Sequence, residues 1–112
     1  MESEPFGDAT LVRVAGEVLS SNAEQFDEDL TAAMGKSPRV VLDLALVDMM
    51  SSSGLGTLIK HTERLGDPDR LVLVGLKPRV LEIFRALGLD QFFVLVDDID
   101  DAREVLSRGK GK

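Results

Sequence analysis

Three consecutive hydroxyls, Ser51-Ser52-Ser53, stand between an aliphatic run beginning at Val40 and the triplet Gly54-Leu55-Gly56. The run reads as a buried strand, the residues up to Met50 as a short loop, and the glycines as the start of a helix. At such a junction the first backbone N–H groups of the helix lack intrahelical partners, and the helix dipole presents its positive end. A phosphate is welcome there. The chemistry on offer is modification of a hydroxyl, so the arrangement points to a regulatory phosphosite rather than a catalytic centre.

Other chemistries find less support. The serines also suit plain helix capping. Gly54 and Gly56 invite comparison with a dinucleotide fingerprint, but its third glycine would fall at Ile59, and the chain has no Gly-Lys-Ser/Thr phosphate loop. His61, between Lys60 and Thr62, reads as a solvated or half-buried mid-helix side chain with no nucleophile in register. Asp97, Asp98, Asp100 and Asp101 fit the acidic first turn of a helix, and lack the glycine and terminal glutamate of a calcium loop. Met34, Met49 and Met50 read as core filler, with Met49 and Met50 placed to give an adaptable apolar contact beside the serines. The glycines Gly54 and Gly56 would let a second backbone approach.

The elements that must hold these residues follow from periodicity. Thr10–Ala15 is β-prone and closed by Gly16, with a preceding strand expected somewhere in Glu4–Ala9. Asn22 is placed to cap a helix running through Met34, with Phe26, Leu30, Ala33 and Met34 on one face and Gly35 as its end. Arg39–Leu44 has the continuous aliphatic character of a strand covered on both faces. After the serines, Leu55, Leu58, Ile59, Thr62 and Leu65 recur at helical spacing until Gly66-Asp67-Pro68-Asp69. Leu71–Val74 is another strand, ending at Gly75. Pro78 opens a third helix with Val80, Leu81, Phe84 and Leu87 inward and Gly88 closing it. Phe92–Val96 supplies a last strand, and Ile99, Ala102, Val105 and Leu106 the apolar stripe of a C-terminal helix. Strand and helix alternate, the pattern of an α/β fold with at least partly parallel strands.

Composition bounds the function. A chain of 112 residues with 44% apolar content, and no long uncharged apolar run, is expected to form one globular domain without membrane insertion. The acidic Met1-Glu2-Ser3-Glu4 lacks the features of a signal peptide, so a cytoplasmic location is expected. The absence of cysteine excludes thiolate chemistry, and a single histidine cannot build a multi-histidine metal site. A net charge of −7 opposes nucleic-acid binding. No cofactor is indicated. Residues 1–8 read as an N-terminal segment with an edge strand, 9–107 as the domain, and 108–112 as a flexible basic tail.

Taken together, these residues resemble the STAS domain, in particular the bacterial anti-sigma factor antagonists. The resemblance is carried by Val41-Leu42-Asp43-Leu44, then Val47-Asp48-Met49-Met50-Ser51-Ser52-Ser53-Gly54-Leu55-Gly56, similar to the family's aliphatic strand followed by Asp-Ser-Ser-Gly-Leu-Gly. Gly16-Glu17-Val18-Leu19 looks like the family's Gly-Glu-Leu-Asp turn. Asn22-Ala23, Leu71–Gly75, Val80-Leu81 and Leu87-Gly88-Leu89 match in order and spacing. The acidic position of the motif is Ser51 here, and the acid of the turn is Leu19. Both acids flank the phosphosite in the family, and Asp48 lies on the wrong side of Met49 and Met50 to replace them.

The resemblance implies a single-domain α/β fold: a mixed, mostly parallel sheet of four to five strands with about four helices mainly on one face. It implies no enzymatic activity. The partner would be an anti-sigma factor that is also a serine kinase of the histidine-kinase-like ATPase fold, and binding it would release a sigma factor. Phosphorylation would end the interaction and a serine phosphatase would restore it. By position the modified residue is Ser52, with Ser53 and Ser51 behind it, and the partner surface comprises Met49, Met50, Ser51, Ser52, Ser53, Gly54, Leu55 and Gly56. A competing implication is a STAS subunit docking on an ABC-type lipid transporter, with no phosphoswitch, which the two missing acids would suit.

Overall fold

The computed structural model describes residues 2–110. Its elements are β1 (Glu2–Phe6), β2 (Ala9–Val18), α1 (Ala23–Lys36), β3 (Val40–Met50), α2 (Ser52–Leu65), β4 (Leu71–Val74), α3 (Pro78–Ala86), β5 (Val94–Val96) and α4 (Ile99–Lys110), with single 3₁₀ turns at Pro68–Arg70 and Leu89–Gln91. The five strands form one sheet in the order β1-β2-β3-β4-β5. β1 is antiparallel to β2, and every other pairing is parallel. The mixed, mostly parallel sheet expected from the sequence is therefore present.

Two cores flank it. On one face, Val12, Val14, Val18, Leu42, Leu44, Val47, Leu71 and Leu73 pack against Phe26 and Leu30 of α1, Leu55 and Leu58 of α2, and Val80 and Phe84 of α3. Phe84 meets Phe93 with ring centroids 5.6 Å apart, closing this core beneath α3. On the other face, α4 alone lays Ala102, Val105 and Leu106 over Phe6, Leu11, Val41, Val72 and Val74. The central strands are buried on both sides for this reason, which accounts for their uninterrupted aliphatic sequence.

Several boundaries differ from those expected. Gly16 does not close β2. It takes φ +88° inside the strand, at an irregularity between the Gly16↔Val47 and Glu17↔Met49 pairs, where a bulge needs a residue free of Cβ strain. No loop separates β3 from the serines, because Ala45–Met50 keeps pairing with β2 as far as Val18↔Met50. Asn22 occupies the N-cap position of α1 but makes no side-chain cap. Its Oδ1 instead accepts from Leu19 N at 2.8 Å and its Nδ2 donates to the Glu17 carbonyl at 2.9 Å, tying the β2–α1 turn together. Gly35 lies within α1, which ends at Lys36 with Ser37 extended.

Leu87 is not inward. It sits just past α3 and is 61% exposed. The last strand is only Val94–Val96, since Phe92 and Phe93 belong to the turn before it. The edge strand sought in Glu4–Ala9 is β1, Glu2–Phe6, with Gly7 at φ +65° in the hairpin turn. Of the basic tail, Arg108–Lys110 continues α4, and Gly111 and Lys112 lie outside the described residues.

His61 departs furthest from its reading. It is 2% exposed, and its Nε2 lies 2.5 Å from Asp27 Oδ1 on α1. Lys60 Nζ donates to the other Asp27 oxygen at 2.7 Å. The Asp27 carboxyl is held below its ordinary value, first by the hydrogen bond from Lys60 and then by that from His61. This three-residue contact fastens α1 to α2.

Candidate functional site

The end of β3 delivers the serines directly to α2. Val18↔Met50 is the last pair of the β2–β3 ladder, and Ser51 N donates to the Val18 carbonyl at 2.8 Å. Ser51 is thus held by the sheet with an extended backbone, and becomes the N-cap of α2. Its Oγ accepts from Gly54 N at 3.4 Å, a long and weak cap. Ser52 and Ser53 are the first two helical residues, and both side chains are exposed. Among the described residues, neither of their backbone N–H groups has a hydrogen-bond acceptor. Ser52 therefore combines an open hydroxyl with unpartnered donors at the positive end of a fourteen-residue helix.

The glycines divide in role. A Cβ on Gly54 would lie 2.8 Å from Val18 Cγ1 and 2.9 Å from Met50 Cγ, whereas one on Gly56 would meet nothing within 4 Å. Gly54 is therefore buried against the core and serves internal packing, not the approach of a partner. Gly56 is exposed and leaves the outer surface of α2 flat. Accordingly, Gly54→Ala is expected to destabilise the domain by about 1–3 kcal/mol through overpacking. Gly56→Ala should be neutral or slightly stabilising, since alanine favours a helix interior. Thermal denaturation of the two variants measures this, and equal melting temperatures would contradict it.

Burial also redraws the surface expected from sequence. Met50 is 2% exposed and Leu55 5%, so both belong to the core. Ser51 is half-buried, and Met49, half-buried too, pairs with Glu17 on the sheet face away from α2, which leaves Ser52, Ser53 and Gly56 as the accessible part of that set on the α2 side. The period of α2 explains Leu55, and the continued β2–β3 ladder explains Met50, whose side chain follows Leu44 and Val47 into the helix-covered core.

The positions of the two absent acids are next to one another. Leu19 is half-buried in the turn leaving β2, one residue past the carbonyl that holds Ser51. Asp48 does not stand in for either. Its carboxylate pairs with Lys77 at the start of α3, and its acidity is raised first by that hydrogen bond and further by the charges of Lys77 and Arg79.

The other residues considered for chemistry stay apart from the serines. His61 is fixed in the α1–α2 seam. Asp98 Oδ1 accepts from Asp101 N at 2.9 Å, the local turn expected of an acidic helix start. Among the described residues, no group of three His, Cys, Asp or Glu side chains is placed to hold a metal, and no helix is long and apolar enough to cross a membrane. Sequence reasoning missed the Asp27–His61 contact. The signal was available: His61 lies three residues after Leu58 and four before Leu65, on the inward face of α2.

Comparison with known proteins agrees with this geometry. The family model described as the STAS domain matches residues 1–102. BtrV of Bordetella bronchiseptica, designated a candidate anti-sigma factor antagonist, is 38% identical over 89 residues, covering 78% of this chain and 77% of BtrV. An anti-sigma factor antagonist from Mycobacterium paratuberculosis superposes with a TM-score of 0.83 at 28% identity, covering 92% of this chain and 89% of that one. The unphosphorylated form of the anti-sigma factor antagonist SpoIIAA superposes with a TM-score of 0.76 at 20% identity, over 99% and 96% of the two chains. SpoIIAA, a Bacillus protein, is also known in a phosphorylated form. On the family match and the BtrV identity, the chain belongs to the STAS-domain family.

Proposed function

We propose that this protein is an anti-sigma factor antagonist whose binding is ended by phosphorylation of Ser52. The partner in this reading is an anti-sigma factor that is also a serine kinase of the histidine-kinase-like ATPase fold, and capturing it frees a sigma factor. A serine phosphatase restores the binding form. The protein acts as a cytoplasmic binding module and performs no catalysis of its own. One observation carries the reading: an exposed hydroxyl, Ser52, at the first residue of α2 beside N–H groups without acceptors. The 38% identity with BtrV supports the partner class.

A phosphate adds about −1.5 to −2 charge and three strong acceptors. At the start of α2 that charge is locally favourable, by roughly 0.3–1 kcal/mol when exposed. The fold therefore tolerates the modification. At an interface the same anion must be desolvated without matching cations, which costs several kcal/mol. The absent acids at Ser51 and Leu19 remove two like charges from beside the ester, which favours the modified state electrostatically.

The direct test is incubation with the cognate kinase and ATP, followed by mass spectrometric mapping of the phosphopeptide spanning Ser51–Ser53. Phosphate on Ser52 is expected. An unmodified chain that instead co-purifies stoichiometrically with a transporter subunit would replace this reading with the transport-associated one.

A further inference from the structure

The sheet face on the α4 side is covered only in part. Leu11 of β2 lies under α4, and alternation along the strand turns Arg13, Ala15 and Glu17 to that same side, beyond the helix. Their partners in register are Asp43, Leu46 and Met49 on β3. The pairing shifts in this stretch keep those three residues in phase with β2, despite the longer course of β3. The result is an open strip of sheet with Leu46, 63% exposed, near its centre. Ala15 beside it is exposed, and Met49 is half-buried.

The border of this strip is acidic. Glu17 is exposed and Asp43 half-buried, and Glu2 faces Arg13 across the β1–β2 ladder. Arg13 is the strip's own cation, and it is paired with Glu4 and lies 3.9 Å from Asp43. A Cβ on Gly75 would be 3.1 Å from Ala45 Cβ and 3.6 Å from the Asp97 carbonyl, so the acidic Asp97-Asp98 segment that leads into α4 adjoins the middle of β3, beside Leu46. The nearby Lys77 is committed to Asp48.

From this we infer that the Leu46 strip is a docking surface for a basic amphipathic helix of a partner protein, one that sets an apolar side chain on Leu46 between flanking lysines or arginines. A helix is the element that complements this surface, because α4 already packs on the adjoining part of the same twisted face. Charge selects the occupant. A second copy of the chain would bring two acidic strips together, and nucleic acid and anionic lipid are repelled in the same way. The strip lies on the opposite sheet face from α2, so this site stands independently of the proposal for Ser52 and can be filled at the same time.

The test uses the full chain, isotopically labelled, titrated with a helix-stabilised peptide of lysine and leucine and with a twin in which serine replaces leucine. Amide shift changes are expected at Ala15, Leu46 and Met49, weakening as salt is raised. Leu46→Ser should loosen the leucine peptide about tenfold. Glu17→Lys should loosen it severalfold and flatten the salt dependence. Ser52→Glu should leave it unchanged. The inference is overturned if the shifts map to the acidic outer face of α1 around Glu24 and Glu28, if the serine twin binds as tightly, or if Leu46→Ser has no effect while the spectrum shows an intact fold.

Discussion

Ser52→Ala is expected to bind the anti-sigma partner as the unmodified chain does, whereas Ser52→Glu binds at least tenfold worse and the phosphorylated protein more than about a hundredfold worse. A penalty of about 3 kcal/mol is enough for the larger figure, and desolvating an unmatched phosphate exceeds it readily. Glutamate carries one charge where phosphoserine carries nearly two, so it reproduces the switch only in part. Both variants should unfold at nearly the temperature of the parent, because Ser52 is exposed and contributes nothing to either core. Titration calorimetry on the three proteins settles the matter. Equal affinities for Ser52→Ala and Ser52→Glu would remove this serine as the switch, and a large loss of melting temperature in Ser52→Glu would show that the local helix is disturbed instead.

The second large effect concerns stability. His61→Ala should cost about 2–5 kcal/mol, the range for emptying a buried site of this size, because it also strips a partner from Asp27. Lys60→Ala removes only an exposed donor to the same carboxylate and should cost less than about 1 kcal/mol. The contact has a pH signature with a definite sign. Asp27 titrates below its ordinary value in the folded chain. Its contribution is therefore complete above the unfolded carboxylate range near about 4, and is lost as pH falls through the depressed folded value. Asp27→Asn abolishes that part of the acid limb. Melting temperatures taken from neutral pH down to strong acid would show the difference, and superimposable profiles for parent and Asp27→Asn would refute it.

Much of this molecule can be read along the chain, and the reasons are local. Leu71–Val74 and Val40–Leu44 are aliphatic without break because a parallel sheet is covered on both faces. Phe26, Leu30 and Ala33, like Leu55 and Leu58, recur at the helical period because one face of each helix meets the sheet. Ser51-Ser52-Ser53 ahead of glycine marks a helix start on capping grounds alone. These are nearest-neighbour preferences, and they place the serines at the start of α2 without recourse to any tertiary contact.

What escaped the sequence depends on partners distant along the chain. Gly16 looked like a terminator, but β3 pairs beyond it and turns the residue into a bulge. Met50 reads both as core filler and as part of the partner surface, and the same pairing carries it into the core beside Val18 and Gly54. His61 reads as solvated or half-buried, and full burial follows only because α1 brings Asp27 to its ring from thirty-four residues away. Leu46 is apolar in sequence like its neighbours, and it is exposed because β4 ends its pairing with β3 at Asp43↔Val74 and α4 covers only the strands below that point. The sequence by itself determined the element types, the α/β alternation and the position of the hydroxyls, since each rests on side-chain periodicity and backbone conformation within a few residues. The tertiary structure alone decided which of those residues meet solvent, because strand register and helix coverage are properties of pairs of elements, and burial follows from the pair.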